Sequence, residues 1–184
     1  MIKKIQILNA AAKVFYQQGA SKAKFGDIAK EAGISRPTLY TFFKDKNAIM
    51  IATIHQVSNQ ILEQIKGQLA NNFTAVDRLT LFIDVAIIEP YKLIQQSEDA
   101  ADILSGHNDD GRKAIKETLE QRSAFLYEIL KPFAKDNHTE VALIGYCRTF
   151  VLSSSGLKST VSNIDELQNC LKILCGWLLE HFSS

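Results

Sequence analysis

Apolar residues recur at helical spacing along almost the whole chain. In the first segment Ile5, Leu8 and Phe15 fall on one face of a helix. Later segments repeat the same spacing of three and four, with hardly any of the alternation that marks a strand. Pro90 is expected to interrupt or kink its helix. The pattern predicts an all-α fold of nine helices, over residues 2–17, 25–32, 36–43, 48–70, 75–88, 91–104, 114–133, 138–157 and a last helix after Asn163.

Two of these helices are short and are separated by a glycine. The segment reads GDIAKEAGISRPTLYTFF, in which Gly33 can adopt the positive φ that a sharp turn needs. Ser35 is a suitable N-cap, and Pro37 is tolerated in the first helical turn. The small Ala29 lets the two helices approach closely. The pattern predicts a helix-turn-helix, whose second helix can enter the major groove of DNA.

The charge distribution supports this prediction. The net charge is only +1, yet residues 1–47 carry nine basic and three acidic side chains, so the remainder is acidic. Arg36 can contact guanine or a phosphate, and threonine methyls can contact thymine. Tyr40 and the nearby lysines fit phosphate contacts. The predicted DNA-binding residues are Lys24, Arg36, Pro37, Thr38, Tyr40, Thr41, Phe42, Lys44 and Lys46.

The same segment resembles the DNA-binding domain of the TetR family of bacterial transcriptional regulators. The matching features are the AA and F of ILNAAAKVF, the glycine of QQGA, the run DIAKEAGIS, then TLY, a final aromatic residue and KDK. The resemblance implies an all-helical homodimer that binds a palindromic operator, usually as a repressor. It also implies release from DNA when a small molecule enters the C-terminal domain. The sequence departs from the family pattern at Ala23, Pro37 and Phe42, which leaves individual DNA contacts open.

We expect two domains, a three-helix DNA-binding domain over 1–47 and a six-helix ligand-binding and dimerisation domain over 48–184. An aromatic-rich interior in the second domain suits a hydrophobic or aromatic effector with a few orienting polar groups. For any one of the candidates, ordinary core packing is the alternative. The candidate pocket residues are Phe82, Asp84, Tyr91, Gln95, His107, Phe125, Tyr127, Tyr146 and Phe150.

The last two predicted helices carry more apolar surface than one chain's core needs. We therefore predict a two-fold dimer through a four-helix interface, with a wholly intramolecular core as the alternative. The predicted interface residues are Val141, Ile144, Gly145, Leu152, Leu167, Leu171, Leu174, Trp177 and Leu178.

Enzymatic chemistry is not indicated. The sequence lacks a nucleophile–base pair, a phosphate-binding glycine loop and the spacing of metal ligands, so we expect no enzyme, no cofactor and no metal. The acidic residues near His107 could in principle hold a metal, but they equally suit a polar loop. Two alternative functions stay open. The chain could be a helical interaction protein that has lost specific DNA binding, or an enzyme whose site includes Asp102 and His107.

The cysteines and the hydropathy indicate the cellular compartment of the protein. Three cysteines, at positions 147, 170 and 175, make no disulfide framework and suit a reducing cytosol. No stretch reaches the roughly 18 apolar residues of a membrane span. A cytoplasmic protein with DNA and a small molecule as partners is the expectation.

Overall fold

The computed structural model describes residues 2–95, 108–135 and 138–182, and all regular structure in these ranges is helical. The predicted all-α fold is confirmed. The helices are α1 (Ile2–Lys22), α2 (Phe25–Glu31), α3 (Arg36–Phe42), α4 (Lys46–Gln68), α5 (Ala75–Ile83), α6 (Glu89–Ile94), α7 (Asp109–Leu130), α8 (Glu140–Thr160) and α9 (Ile164–Leu179). A π-helical turn, Asp84–Ile88, joins α5 to α6, and a 3₁₀ turn, Lys131–Phe133, follows α7.

Side-chain caps fix where several helices begin. The Ala48 amide donates to Asp45 Oδ1 at 2.7 Å, which places the N-cap of α4 at Asp45. At α9 the Glu166 amide donates to Asn163 Oδ1 at 2.9 Å, so Asn163 is the N-cap of this helix. Gly19 leaves helical geometry at φ 73°, close to the predicted end of α1. These starts and stops are set by residues within one turn of the helix end.

A π-helical turn directly before Pro90 interrupts the α-helical hydrogen-bonding pattern between α5 and α6, in agreement with the predicted interruption. The helix passes through the π-helical turn, in which the Glu89 amide donates to the Asp84 carbonyl five residues back. Because proline has no N–H, the carbonyl of Ala86, four residues before Pro90, cannot receive the usual α-helical hydrogen bond from position 90. The wider turn accommodates the proline without ending the helix.

The chain forms two compact units. The first contains residues 1–60 and 93–118, and the second contains residues 61–92 and 119–184. The predicted domain boundary after residue 47 stays a prediction. Fully buried side chains at the centre of the first unit include Ile28, Leu39 and Ile49. Its core is lined by Ile7, Leu8, Ala11, Val14, Phe15, Ala20, Ala23, Ile28, Ala29, Leu39, Phe43, Ile49 and Met50.

The second unit contains the end of α4, α5, the π-helical turn, the start of α6, the second half of α7 and the α8–α9 pair. Helices α8 and α9 pack against each other, and α9 also contacts α5. The largest buried side chains of this unit include Phe82, Tyr91, Phe150 and Phe182. None of the helices in the described ranges is both long and apolar enough to span a bilayer.

Candidate DNA-binding interface

The turn between α2 and α3 ends one helix and starts the next within four residues. Gly33 has φ 66°, its amide donates to the Lys30 carbonyl at 3.1 Å, and the Ile34 amide donates to the Ala29 carbonyl at 3.0 Å. This pair of bonds is the Schellman pattern, which needs a left-handed residue at the glycine position. The predicted tight glycine turn is therefore present.

Helix α3 is fixed at its start and along its inner face. The Thr38 amide donates to Ser35 Oγ at 3.2 Å, so Ser35 is the N-cap, and Pro37 lies in the first turn. Leu39 and Phe43 are buried in the core of the first unit. The opposite face is left to solvent, and it carries exposed Arg36, Pro37, Tyr40, Thr41 and Phe42 with half-buried Thr38.

Tyr40 is exposed but held in place. Its ring packs on Phe25 of α2 with centroids 4.6 Å apart and planes tilted by 37°, while 58% of the residue remains accessible. A ring fixed on one side by an aromatic neighbour directs its hydroxyl outward at little entropic cost. This arrangement suits a hydrogen bond to a phosphate oxygen.

Arg36 lies against Gly26 of α2. A Cβ atom added at Gly26 would collide with the Arg36 guanidinium group, which occupies the space that a side chain would fill. The glycine thus lets the arginine lie across the start of α2. Gly26 therefore sets the position of the Arg36 guanidinium group on the protein surface.

Gly26→Ala is a direct check of this arrangement. Removing a glycine from a helix raises helix propensity, so we expect a gain of about 0.5–1 kcal/mol in the free energy of unfolding. The guanidinium group must shift, which should weaken operator binding by roughly threefold to tenfold, less than complete loss of Arg36. Denaturant titration and operator titration measure the two effects. Gly67→Ala in exposed α4, where nothing lies within 4 Å of the added Cβ, is the matched control.

The predicted lysines have different surroundings. Lys24 and Lys44 are exposed. The Lys46 ammonium instead donates to the carbonyls of Ala20 and Ser21, at 2.9 and 3.1 Å. Lys46 therefore ties the start of α4 to the end of α1, and these two bonds argue against the phosphate role predicted for it.

The predicted pocket residues do not converge on one site. Tyr91 and Phe150 are fully buried in the second unit's core, and Gln95 is exposed. The hydroxyl of Tyr127, in α7, donates to Glu140 Oε1 at the start of α8 at 3.1 Å. Asp84 is exposed, Phe125 lies beneath the Lys66 ammonium, and Tyr146 stacks on His181 at 3.8 Å. His107 lies outside the described residues, as does Asp102.

One of the candidates does line a cavity. This cavity is a shallow, partly open recess in the second unit, and the roughly 230 Å³ of atom-free space at it includes open solvent. Its lining residues are Phe82, Ala86, Ile87, Leu119, Arg122, Val151, Ser154, Ser155 and Lys158. Sequence reasoning missed Arg122 and Lys158. A usable signal was present, because Phe150, Ser154 and Lys158 are four residues apart on one buried helix face.

The predicted dimer surface needs correction. Leu167, Leu171 and Leu178 are buried in the chain's own core, so the prediction is wrong for them. Leu174 and Trp177 are half-buried, and Trp177 packs edge-on against Tyr146. The apolar residues that α8 and α9 expose are Val141, Ile144, Leu152 and Ile173, beside the exposed Gly145.

Side chains that could bind a metal do not cluster in the described parts of the chain. Across residues 2–95, 108–135 and 138–182, no three His, Cys, Asp or Glu side chains cluster as a metal site would require. Most of the acidic residues near His107 lie outside these ranges. Asp110, at the start of α7, accepts a hydrogen bond from Asn47 Nδ2 at 2.8 Å.

Comparison with known proteins adds to this geometry. Residues 7–53 match the family model of bacterial regulatory proteins of the tetR family. The HTH-type transcriptional regulator YvdT of Bacillus subtilis is 32% identical over 94 residues, which are 51% of this chain and 46% of that protein. The chain spans about half the length of the curated relatives it matches.

Solved structures share the fold over nearly the whole chain. The regulator FadR of Bacillus subtilis, in complex with stearoyl-CoA, aligns with a TM-score of 0.61 at 22% identity, covering 94% of this chain and 96% of that one. FadR of Thermus thermophilus, in complex with lauroyl-CoA, aligns with a TM-score of 0.66 at 20% identity, covering 96% and 93%. Residues 7–53 therefore form a helix-turn-helix segment of the tetR family of bacterial regulatory proteins, and the chain shares the fold of these solved structures.

Proposed function

We propose that this chain is a ligand-responsive transcriptional repressor that binds a palindromic operator as a homodimer in the cytoplasm. The observation that carries the proposal is the outward face of α3. Leu39 and Phe43 hold the helix in the core, whereas Arg36, Pro37 and Thr41 are exposed. A short helix that is capped, well packed and basic at its N-terminal end is suited to reading base edges in the major groove.

The proposed DNA contacts are of two kinds, contacts to bases and contacts to phosphates. Arg36 addresses guanine or a phosphate at the start of α3, while Pro37, Thr41 and Phe42 present apolar surface to thymine methyls. Tyr40, Lys24 and Lys44 are placed for phosphate oxygens, which set the register on the duplex. Two copies of α3 must lie about 34–36 Å apart to reach successive major grooves.

Exposed apolar residues of α8 and α9 provide the surface for the proposed dimer. Val141, Ile144 and Leu152 follow one another at spacings of three and eight along α8, so they lie on one exposed stripe. Ile173 adds an exposed apolar group on the adjoining α9. A Cβ at Gly145 would meet nothing within 4 Å, which leaves room for a partner helix to approach. A four-helix interface between two α8–α9 pairs covers this surface.

Release by an effector uses a helix that belongs to both units. At its start α7 is hydrogen-bonded to the beginning of α4, where Asn108 Nδ2 donates to Asn47 Oδ1 at 2.9 Å and Asn47 Nδ2 donates to Asp110. Farther along the same helix, Leu119 and Arg122 line the cavity. An effector that favours a different position of α7 therefore also favours a different position of the start of α4, which follows α3 directly in the chain. Operator affinity falls by the effector's differential affinity for the two states.

The effector class is hydrophobic, because the cavity walls include Phe82, Ile87, Leu119 and Val151. Two fold neighbours were solved with stearoyl-CoA and lauroyl-CoA. An acyl-CoA is therefore a reasonable first probe for operator release.

The primary test is selection of binding sites from a random DNA pool, followed by affinity measurements across a salt series. A palindrome should emerge, and log K should fall linearly with log salt. If no sequence enriches while the protein is folded and dimeric, the alternative of an interaction protein without specific DNA binding is favoured.

Arg36→Ala tests the docking of α3. We expect the variant to lose about tenfold to a hundredfold in operator affinity. Relaxed preference at one base pair would identify a guanine contact, whereas a salt slope reduced by about one would identify a phosphate contact. Lys113→Ala removes the same charge from an exposed position on α7 and should change operator affinity little. Equal losses in both variants would contradict the assignment.

A further inference from the structure

The start of α1 places a lysine at the end of α3. The Lys4 ammonium lies 5.5 Å from the centroid of the Phe43 ring. Phe43 is the C-cap of α3 and is buried, whereas Lys4 is exposed. A cation at this distance is attracted to the face of the ring, and the hydrocarbon part of a lysine can cover an apolar group while the ammonium stays in water. Phe43 therefore fixes the Lys4 ammonium where the chain leaves α3, close to the exposed Lys44.

The acidic side chains of the same segment contact groups other than Lys4. Residues 1–47 contain three of them. Each accepts a hydrogen bond elsewhere: Asp27 from the Lys24 amide at 3.2 Å, Glu31 from the Lys13 ammonium at 2.6 Å and Asp45 from the Ala48 amide at 2.7 Å. The positive charge of Lys4 is therefore not offset by a carboxylate of this segment, and its ammonium is available to an anion from outside.

Positive charge thus lies at both ends of α3. Arg36 begins the helix, and Lys4 and Lys44 lie at its end. The helix has seven residues, so it is about 10 Å long, close to the roughly 12 Å width of the major groove. In a docked helix-turn-helix the N-terminal residues of the second helix contact base edges. The C-terminal end is then directed toward a wall of the groove, and that wall is a row of phosphates.

We propose that Lys4 contacts the DNA backbone, with its ammonium neutralising a phosphate beside the C-terminal end of α3. Helix α1 then takes part in docking, although it lies outside the helix-turn-helix formed by α2 and α3. A phosphate contact of this kind fixes the orientation of the protein on the duplex and does not read its sequence. The inference rests on the proposed function, in which α3 enters the major groove, and it adds a positioning residue to that interface.

Lys4→Gln in the full chain tests the contact. Fluorescence anisotropy measures binding to the selected operator and to a random-sequence duplex of the same length, between about 50 and 200 mM salt. We expect affinity to fall roughly threefold to tenfold for each bound protomer, by the same factor on both duplexes. The slope of log K against log salt should become shallower by about 0.9 for each bound protomer, since one phosphate contact is lost. Lys4→Arg keeps the charge and should restore the slope.

Lys13→Gln is the matched control. Lys13 lies about two and a half turns farther along α1, on the opposite side of the helix, and its ammonium is paired with Glu31. The control removes the same charge from the same helix and should leave the salt slope unchanged. Equal effects of Lys4→Gln and Lys13→Gln would overturn the proposal, because they would show a response to net charge alone. Unchanged affinity and slope in Lys4→Gln, with thermal melting showing that the variant is folded, would also overturn it.

The Lys4 contact and the proposed function fail separately. An operator that Lys4→Gln binds as tightly as the unaltered protein at every salt concentration contradicts the contact and leaves the repressor standing. If no operator is selected, the repressor is contradicted, whereas a salt slope on the random-sequence duplex that still depends on Lys4 supports the contact. Failure of the unaltered protein to bind either duplex contradicts both.

Discussion

Lys158→Met is expected to raise the free energy of unfolding by about 1–4 kcal/mol at pH 6 in ligand-free protein. The reason is that a buried charge without a counter-charge opposes folding, and an apolar side chain of similar length removes that cost. In the folded chain the pKa of Lys158 is lowered to about 7 from its ordinary 10.5. Between these values the unfolded chain binds the extra proton, so the stability of the unaltered protein rises with pH across that window.

Denaturant titrations at pH 6, 7.5 and 9 check both parts of this prediction. The stability gain in Lys158→Met should be largest at pH 6 and shrink toward pH 9, where the folded lysine is already neutral. Lys172→Met controls for the loss of one charge and should be neutral within about 0.5 kcal/mol. A loss of stability in Lys158→Met at pH 6 would contradict the prediction, because it would show that the ammonium has a stabilising partner in the ligand-free chain.

Val141→Glu combined with Ile173→Glu is expected to yield a folded monomer that binds the operator at least a hundredfold more weakly. These side chains are 81% and 75% exposed in the single chain, so the carboxylates remain solvated in the monomer and are buried only in the proposed dimer. A monomer engages one half-site and loses the advantage of joining two binding events. Sedimentation at micromolar concentration and operator titration measure the two consequences.

Val76→Glu is the matched control for this pair. Val76 lies on α5 with 52% exposure, outside the proposed interface, so its replacement should leave both the dimer and operator affinity unchanged. If the double variant stays dimeric, the α8–α9 surface is not the interface. If it becomes monomeric and keeps full operator affinity, the dimer is not needed for DNA binding.

The helix-turn-helix was predictable because its signals are local. Gly33 is needed for a left-handed turn, Ser35 for a cap, and Leu39 and Phe43 for an inner face, and each requirement is met within a few residues. Even in this segment, the sequence did not predict one of the contacts between helices. The Lys46 ammonium reaches carbonyls at the end of α1, which no pattern in the neighbouring sequence indicates.

The dimer surface shows what periodicity leaves out. The spacing of Leu167, Leu171 and Leu178 correctly defines an apolar face of α9, but that face is covered by the chain itself. Periodicity identifies which residues are buried, but it does not show whether they pack against the same chain or against a partner. The exposed residues that remain, Val141 and Ile173 above all, could be recognised only once the intramolecular packing was known.

The sequence by itself determined the all-helical class, the capped start of the last helix at Asn163 and the helix-turn-helix, because helix periodicity, caps and glycine turns act over distances of a few residues. Tertiary structure decided which aromatic residues fill the core and which apolar faces stay exposed. It also brought Arg122, Lys158 and the Ala86 carbonyl to one cavity from three separate helical segments. Such a site depends on how helices pack against each other, and that packing is the sum of many weak contacts between residues far apart in the chain.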